Sequence, residues 1–295
     1  MRRELYSYNK NIFFLRLIGA VLFILISCPA YGYILTGSQV LELVSGKLGK
    51  AKDLTITQKT ILYDEKLEGG SLELTETALY RSPDKFRAEI QSETTSKIHI
   101  ASFDNALVVI DGKIVSEFES GFDHYKDIFA FKERMILQKR LQMLGLDTSK
   151  VRLERYNGSV VYVIGQHEAY GEVFPQLYVD KKTFLPVKWL LRGTTLFGEV
   201  AEPMEVVFFD WKKHKRIKFP ERIEFYKNQI LVKEIRVEKI DINTGVDEAL
   251  FDFEALKEEY SKNDTQETVI SDEKNQTQKE IEGLDKIIEN DRMAF

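Results

Sequence analysis

The chain has 295 residues, 43% of them hydrophobic, with 42 basic and 47 acidic side chains and one cysteine. That apolar share supports a sizeable core and excludes wholesale disorder. The net charge of -5 argues against nucleic acid, which needs a basic face, and one cysteine excludes both an internal disulfide and CxxC-type structural zinc.

Residues 1–32 read as an export signal. Arg2, Arg3, Lys10 and Arg16 make a basic start, and Leu17–Ile26 is an uninterrupted apolar run. The run is short of the ~20 residues that span a bilayer. Pro29 ends it, and Ala30-Tyr31-Gly32 offers a small-x-small cleavage site with a mature start at Tyr33. A second processing route is also written here. Leu25-Ile26-Ser27-Cys28 resembles a bacterial lipobox, which would leave the chain lipid-anchored through Cys28. Pro29 directly after the cysteine favours the soluble route. Cleavage at Gly32 leaves a mature chain without cysteine, which fits a bacterial periplasm better than eukaryotic secretion.

Ser38–Lys50 reads as a helix with Ser38 as N-cap and an apolar face of Val40, Leu41, Leu43, Val44 and Leu48. Six segments rich in β-branched and aromatic residues follow: 54–63, 72–81, 85–91, 97–103, 106–110 and 113–118. Turn signals such as Asp111-Gly112 separate them, so an antiparallel meander is expected. Phe122–Gly145 reads as one long helix, with Ile128, Phe131, Met135, Leu137, Leu141 and Leu144 at helical spacing. Strands resume at 151–156 and 159–165, around Asn157-Gly158, and continue at 176–180, 185–192, 204–211, 219–226 and 230–240. The predicted fold is α+β: one large, curved antiparallel sheet, a half-barrel of about eleven strands, with helices covering or lidding it.

Ala106–Ile110, Val160–Ile164 and Val206–Phe209 are apolar at every position. A sheet with one wet face alternates polar and apolar, so these strands must be covered on both sides. Either an apolar cavity or packed helices would do this. Residues 257–295 change composition, with eleven acids against six bases and few aromatics, and read as a polar, acidic, disordered tail. Three regions result: a signal peptide at 1–32, a binding domain at 33–256 and the tail at 257–295.

Three segments together resemble the outer-membrane lipoprotein carrier superfamily, the LolA/LolB-like periplasmic lipoprotein-sorting proteins. They are the strand and turn Leu79-Tyr80-Arg81-Ser82-Pro83-Asp84-Lys85-Phe86-Arg87, the hairpin from Leu177 to Lys188 containing Asp180, Thr183 and Pro186, and Phe219-Pro220-Glu221-Arg222-Ile223-Glu224-Phe225, which a long strand and Phe251-Asp252-Phe253 follow. Their order and spacing cover nearly all of 38–256. The resemblance implies a half-barrel enclosing an apolar cavity for acyl chains of lipoproteins or lipids. It implies no catalytic group and no cofactor. The implied partners are lipoprotein acyl chains or lipids, with an inner-membrane transporter and an outer-membrane acceptor, and the implied state is a monomer. Cavity candidates are Phe86, Ile98, Ile100, Val108, Phe131, Met135, Trp189 and Phe208. In the family an arginine directly before the turn proline helps hold the lid. Here that place is Ser82, and Arg81, the lid-contact candidate, lies one residue earlier, which turns a strand side chain to the other face. Two other readings stand beside the carrier: an envelope-stress or lipid-sensing regulator that contacts a membrane partner, and a structural envelope protein with a filled core.

No catalytic or metal motif competes. His99, His124, His167 and His214 show no metal-ligand spacing, and the chain lacks HExxH, GxSxG, a P-loop and GxGxxG.

Overall fold

Each of the thirteen segments expected to be extended forms a strand. The computed structural model describes residues 34–92, 95–167, 173–192 and 203–263. The signal-peptide reading of 1–32, Cys28 included, and the tail beyond 263 lie outside them.

The strands are β1 (Asp53–Tyr63), β2 (Ser71–Arg81), β3 (Lys85–Gln91), β4 (Ser96–Ala101), β5 (Ala106–Ile110), β6 (Lys113–Ser116), β7 (Val151–Tyr156), β8 (Ser159–Ile164), β9 (Gln176–Asp180), β10 (Pro186–Leu191), β11 (Met204–His214), β12 (Ile217–Lys227) and β13 (Ile230–Ile242). All lie in one antiparallel sheet of order β6-β5-β4-β3-β2-β1-β13-β12-β11-β10-β9-β8-β7. Two meanders, β1–β6 and β7–β13, are stitched along β1, where Leu54 faces Tyr80 on one side and Ile242 on the other. The outermost strands β6 and β7 do not pair with each other, so the sheet is an open half-barrel. Short turns set the register. Asp111-Gly112 (φ 49° and 78°) and Asn157-Gly158 (φ 47° and 80°) supply the paired positive φ values of a type I′ hairpin.

The first helix, α1 (Gly37–Leu48), begins one residue earlier than expected. Thr36, not Ser38, is the N-cap, because Thr36 and Gln39 form a reciprocal capping box. The Ser38 hydroxyl donates instead to Gln138 Oε1 at 2.8 Å. Val40, Leu41, Val44 and Leu48 are buried against the sheet. Gly49 closes the helix at φ 80°, and a Cβ there would lie 2.1 Å from the Arg216 carbonyl oxygen. Gly49→Ala therefore combines a left-handed alanine with a backbone clash. Its expected cost is about 1–3 kcal/mol in a denaturant titration, whereas Gly46→Ala, with open space around its Cβ, should not destabilise.

The single long helix expected over 122–145 is broken. A 3-10 turn (Gly121–Lys126) leads into α2 (Asp127–Ala130), and α3 (Arg134–Met143) starts after a gap. Phe131 leaves the helical region at φ -92° and ψ 84° while its ring stays buried. The break lets α2 and α3 present different side chains to the same surface. This stretch links β6 to β7, the two edges of the sheet, and packs over one face, here called the inner face.

The last helix, α4 (Phe253–Asn263), crosses the boundary expected at 256. Phe253, Leu256 and Tyr260 pack on Ile98, Ile100, Leu107, Val109 and Ile114, on the outer face. This explains the all-apolar β5: Leu107 and Val109 lie beneath α4, and Val108 is buried on the opposite side. The need for cover on both faces is met here by a helix that starts in the body and ends in what reads as tail.

Candidate functional site: the covered inner face

The inner face is apolar because one residue in two along each long strand points to it. Leu54 and Ile56 on β1, Ala78 and Tyr80 on β2, Trp189 on β10, Val206 and Phe208 on β11, and Ile223 and Phe225 on β12 join one cluster with Tyr125, Ile128, Phe129, Phe131, Leu137 and Leu141 of the cover. Phe129 is the centre. Its ring lies 4.4 Å from Phe219, 5.9 Å from Phe208 and 6.1 Å from Trp211. Tyr125 meets Phe225 edge-on at 5.4 Å, and Phe131 meets Phe103 at 5.7 Å. Each such pair adds about 0.5–1.5 kcal/mol beyond the area buried. Trp189 is fully buried and its indole N–H has no hydrogen-bond partner among the described residues, while the Trp211 N–H donates to the Pro186 carbonyl at 3.0 Å.

The candidate lining residues separate into groups. Phe86, Phe131, Trp189 and Phe208 all belong to the inner cluster. Val108 is buried on the same face, directly opposite His99. Ile98 and Ile100 are on the outer face, beneath α4. Strand parity explains this: His99, between them, is the inward residue of β4, with its ring 5.5 Å from Phe86. Met135 is 71% exposed, because the break before α3 turns Leu137 and Leu141 inward in its place. Arg81, the lid-contact candidate, points outward. It donates to the Val246 carbonyl and lies 3.4 Å from Glu248, which Lys85 also reaches at 2.7 Å. Arg87 donates to the Leu250 carbonyl at 2.7 Å, so these three basic residues hold the segment leading to α4.

A buried ionic group ties the parts of the cover to one another and touches the sheet through His99 and the Phe103 carbonyl, and sequence reasoning missed it. Lys126 and Arg140 each pair with both Glu119 and Asp127. Lys126 Nζ lies 3.1 Å from Asp127, and Arg140 Nε lies 2.8 Å from it. Arg140 Nη1 also donates to the Phe103 carbonyl at 2.9 Å, between β4 and β5. All four side chains are buried. His99 approaches Glu119 at 3.3 Å and Asp123 at 3.7 Å, and His124 approaches Asp127 at 3.6 Å. Burial by itself would neutralise these groups. The mutual attraction outweighs it, holding Glu119 well below the usual carboxylate range and Asp127 below it, and raising Lys126 and Arg140. Glu119, His124 and Asp127 bring donor atoms within 4.8 Å of one another, a spacing that would suit a metal ion. Both carboxylates already carry two cationic partners, so the arrangement is a latch. Its sequence signal was the run Asp123-His124-Tyr125-Lys126-Asp127, charged within an otherwise apolar helix pattern.

No family model and no curated protein matches the sequence. Among solved structures, a LolA superfamily protein from Nitrosomonas europaea matches at TM-score 0.50 and 12% identity, over 75% of this chain and 100% of that one. This chain has a LolA-type fold. A DUF1329 family protein from Desulfovibrio piger is similar at TM-score 0.48 and 13% identity, over 75% of this chain and 97% of that one. A domain from Vibrio parahaemolyticus assigned to outer membrane lipoprotein sorting is similar at 0.47 and 15%, over 75% and 98%. The LolA-type likeness is one of fold.

Proposed function

We propose that this LolA-type chain is a non-catalytic periplasmic carrier. It shields acyl chains of lipoproteins or lipids against the inner face for transfer towards the outer membrane, taking cargo from an inner-membrane transporter and passing it to an outer-membrane acceptor. One observation carries the reading. The apolar inner face of the sheet is covered by a non-sheet segment, 117–150, that meets the sheet through aromatic contacts and through His99 and the Phe103 carbonyl, which touch an ionic latch inside the cover, rather than through strand pairing. A cover of that kind is separable from the sheet without breaking a ladder hydrogen bond. The driving force suffices: an acyl chain of about fifteen methylenes gains on the order of 12 kcal/mol on leaving water.

The latch favours a second reading, a permanently filled structural core. The two differ in one measurement. The full chain is examined by native mass spectrometry with organic extraction, then titrated with the fluorescent fatty acid cis-parinaric acid. A carrier co-purifies with an acylated molecule or takes up the probe at micromolar concentration. A clean apo mass with no probe uptake overturns the carrier and leaves the filled core.

A further inference from the structure

The inner face is not apolar along its whole length. On β1 the inward positions that follow Leu54 and Ile56 are Gln58 and Thr60, and on β2 the inward position that precedes Ala78 and Tyr80 is Glu76. All three are buried: Gln58 and Thr60 are 2% exposed and Glu76 is 7% exposed. Tyr125, from the 3-10 turn of the cover, reaches this patch, its hydroxyl meeting the Gln58 side chain and the Tyr80 hydroxyl. The patch therefore lies between sheet and cover, where a carried acyl chain would lie.

The carboxylate at its centre has no counter-charge. Glu76 Oε2 accepts from Gln58 Nε2 at 2.9 Å and from the Thr60 hydroxyl. Both donors are neutral and both fall on one oxygen, and Oε1 accepts no bond among the described residues. Directly across from Glu76 stand Gln58 on β1 and Ile90 on β3, neither of them a cation. No lysine, arginine or histidine among the described residues pairs with it. Cations of the cover and of other strands serve other acids. Lys126 and Arg140 pair with Glu119 and Asp127. Burial works against the charge of Asp123, and His99, Lys97 and Lys233 overcome it. Burial, and after it the charge of Glu76, push the Tyr125 hydroxyl above its usual range. A buried carboxylate is ordinarily paired, because an isolated charge is costly to take out of water.

We propose that Glu76 receives a protonated amine at the polar end of the acyl cargo. The proposal rests on the carrier reading and names the class of cargo: an amine-bearing amphiphile, not a free fatty acid. An ammonium group supplies both things the patch lacks, a positive charge and a donor for Oε1. A hydroxyl supplies the donor alone, and a carboxylate meets repulsion.

The test loads the full chain with cis-parinaric acid and displaces it with dodecylamine, 1-dodecanol and lauric acid, which share one chain length. Dodecylamine should displace the probe about tenfold more tightly than the alcohol, and lauric acid no better than the alcohol. Glu76→Gln should abolish that preference. Thr60→Val removes a hydrogen bond and leaves the charge, so it should keep the preference. That variant and the ranking in the parent decide the matter where Glu76→Gln fails to fold. Lysophosphatidylethanolamine and an N-palmitoylated lysine amide then separate a headgroup amine from a peptide amine, the larger loss in Glu76→Gln marking the source. Equal displacement by amine and alcohol in the parent overturns the proposal and leaves the carrier standing. So does a preference that survives undiminished in Glu76→Gln, or one lost as fully in Thr60→Val. If neither cis-parinaric acid nor any of the competitors enters the parent, the carrier reading falls and this proposal falls with it.

Discussion

Arg140→Met lowers the unfolding free energy by about 3–5 kcal/mol, the cost of removing one partner from a buried ion group. Lys126 is then left against two carboxylates, Glu119 and Asp127, where two cations had balanced two anions. Adding Asp127→Leu restores one-to-one pairing of Lys126 with Glu119. The double variant therefore recovers a large part of the loss, and a double-mutant cycle by urea titration measures it. The pH dependence has a definite sign. Glu119 and Asp127 titrate lower in the folded chain than their unfolded value of about 4. Their contribution is complete above that value and is lost as pH falls through the folded pKa values. Lys126 is raised, so its contribution holds below the unfolded value of about 10.4 and is lost as pH rises through its folded pKa. Stability should thus be flat between the two ends and fall on both sides. Arg140→Met should show a weaker acid limb, because the carboxylates have lost one of the cations that depress them. An acid limb as steep as the parent's would mean that the latch does not couple to folding.

Phe129→Ala is expected to cost a further class of energy, about 3–5 kcal/mol, because it empties the middle of the aromatic cluster. The ring touches both sides of the question: it belongs to the cover, and it rests on Phe208, Trp211 and Phe219 of the sheet. A core truncation in a permanently filled protein only destabilises. In a carrier the same change weakens the contact that acyl chains must displace, so cis-parinaric acid uptake should rise while thermal stability falls. Phe118→Ala provides the comparison, since Phe118 is 66% exposed and should stay within about 0.5 kcal/mol of the parent. Falling uptake in Phe129→Ala would place Phe129 in the ligand contact itself.

The strands were legible because their signals are local. Alternation, β-branched residues and turns such as Asn157-Gly158 act within a few residues, and all thirteen segments formed. The helical cover was not legible in the same way. Hydrophobic periodicity treats a charged residue as outward, and it could not place Arg140 between Leu137 and Leu141 on the buried side of α3. With Arg140 inside, Met135 goes outside. The face of β4 was misread for a related reason: apolar Ile98 and Ile100 were assigned inward, whereas polar His99 is inward and α4 covers the isoleucines. That cover comes from 253–263, more than 150 positions downstream, and no window along the sequence contains both. Trp189, Phe208 and Phe86 were placed with the inner cluster because strong apolar character and strand parity agreed there, and Phe131 by its apolar character within the cover.

The strand order also dictates a schedule for folding. β1 is among the first parts of the chain to be made, yet its second neighbour, β13, is completed only at Ile242. Until then β1 pairs with β2 alone and presents bare amide and carbonyl groups along its other side, an invitation to wrong partners. The half-barrel cannot be finished piecemeal from its start, and its closing contact spans nearly the whole domain, the kind of non-local pairing that folds slowly. A chain with that property gains from staying unfolded until synthesis is complete.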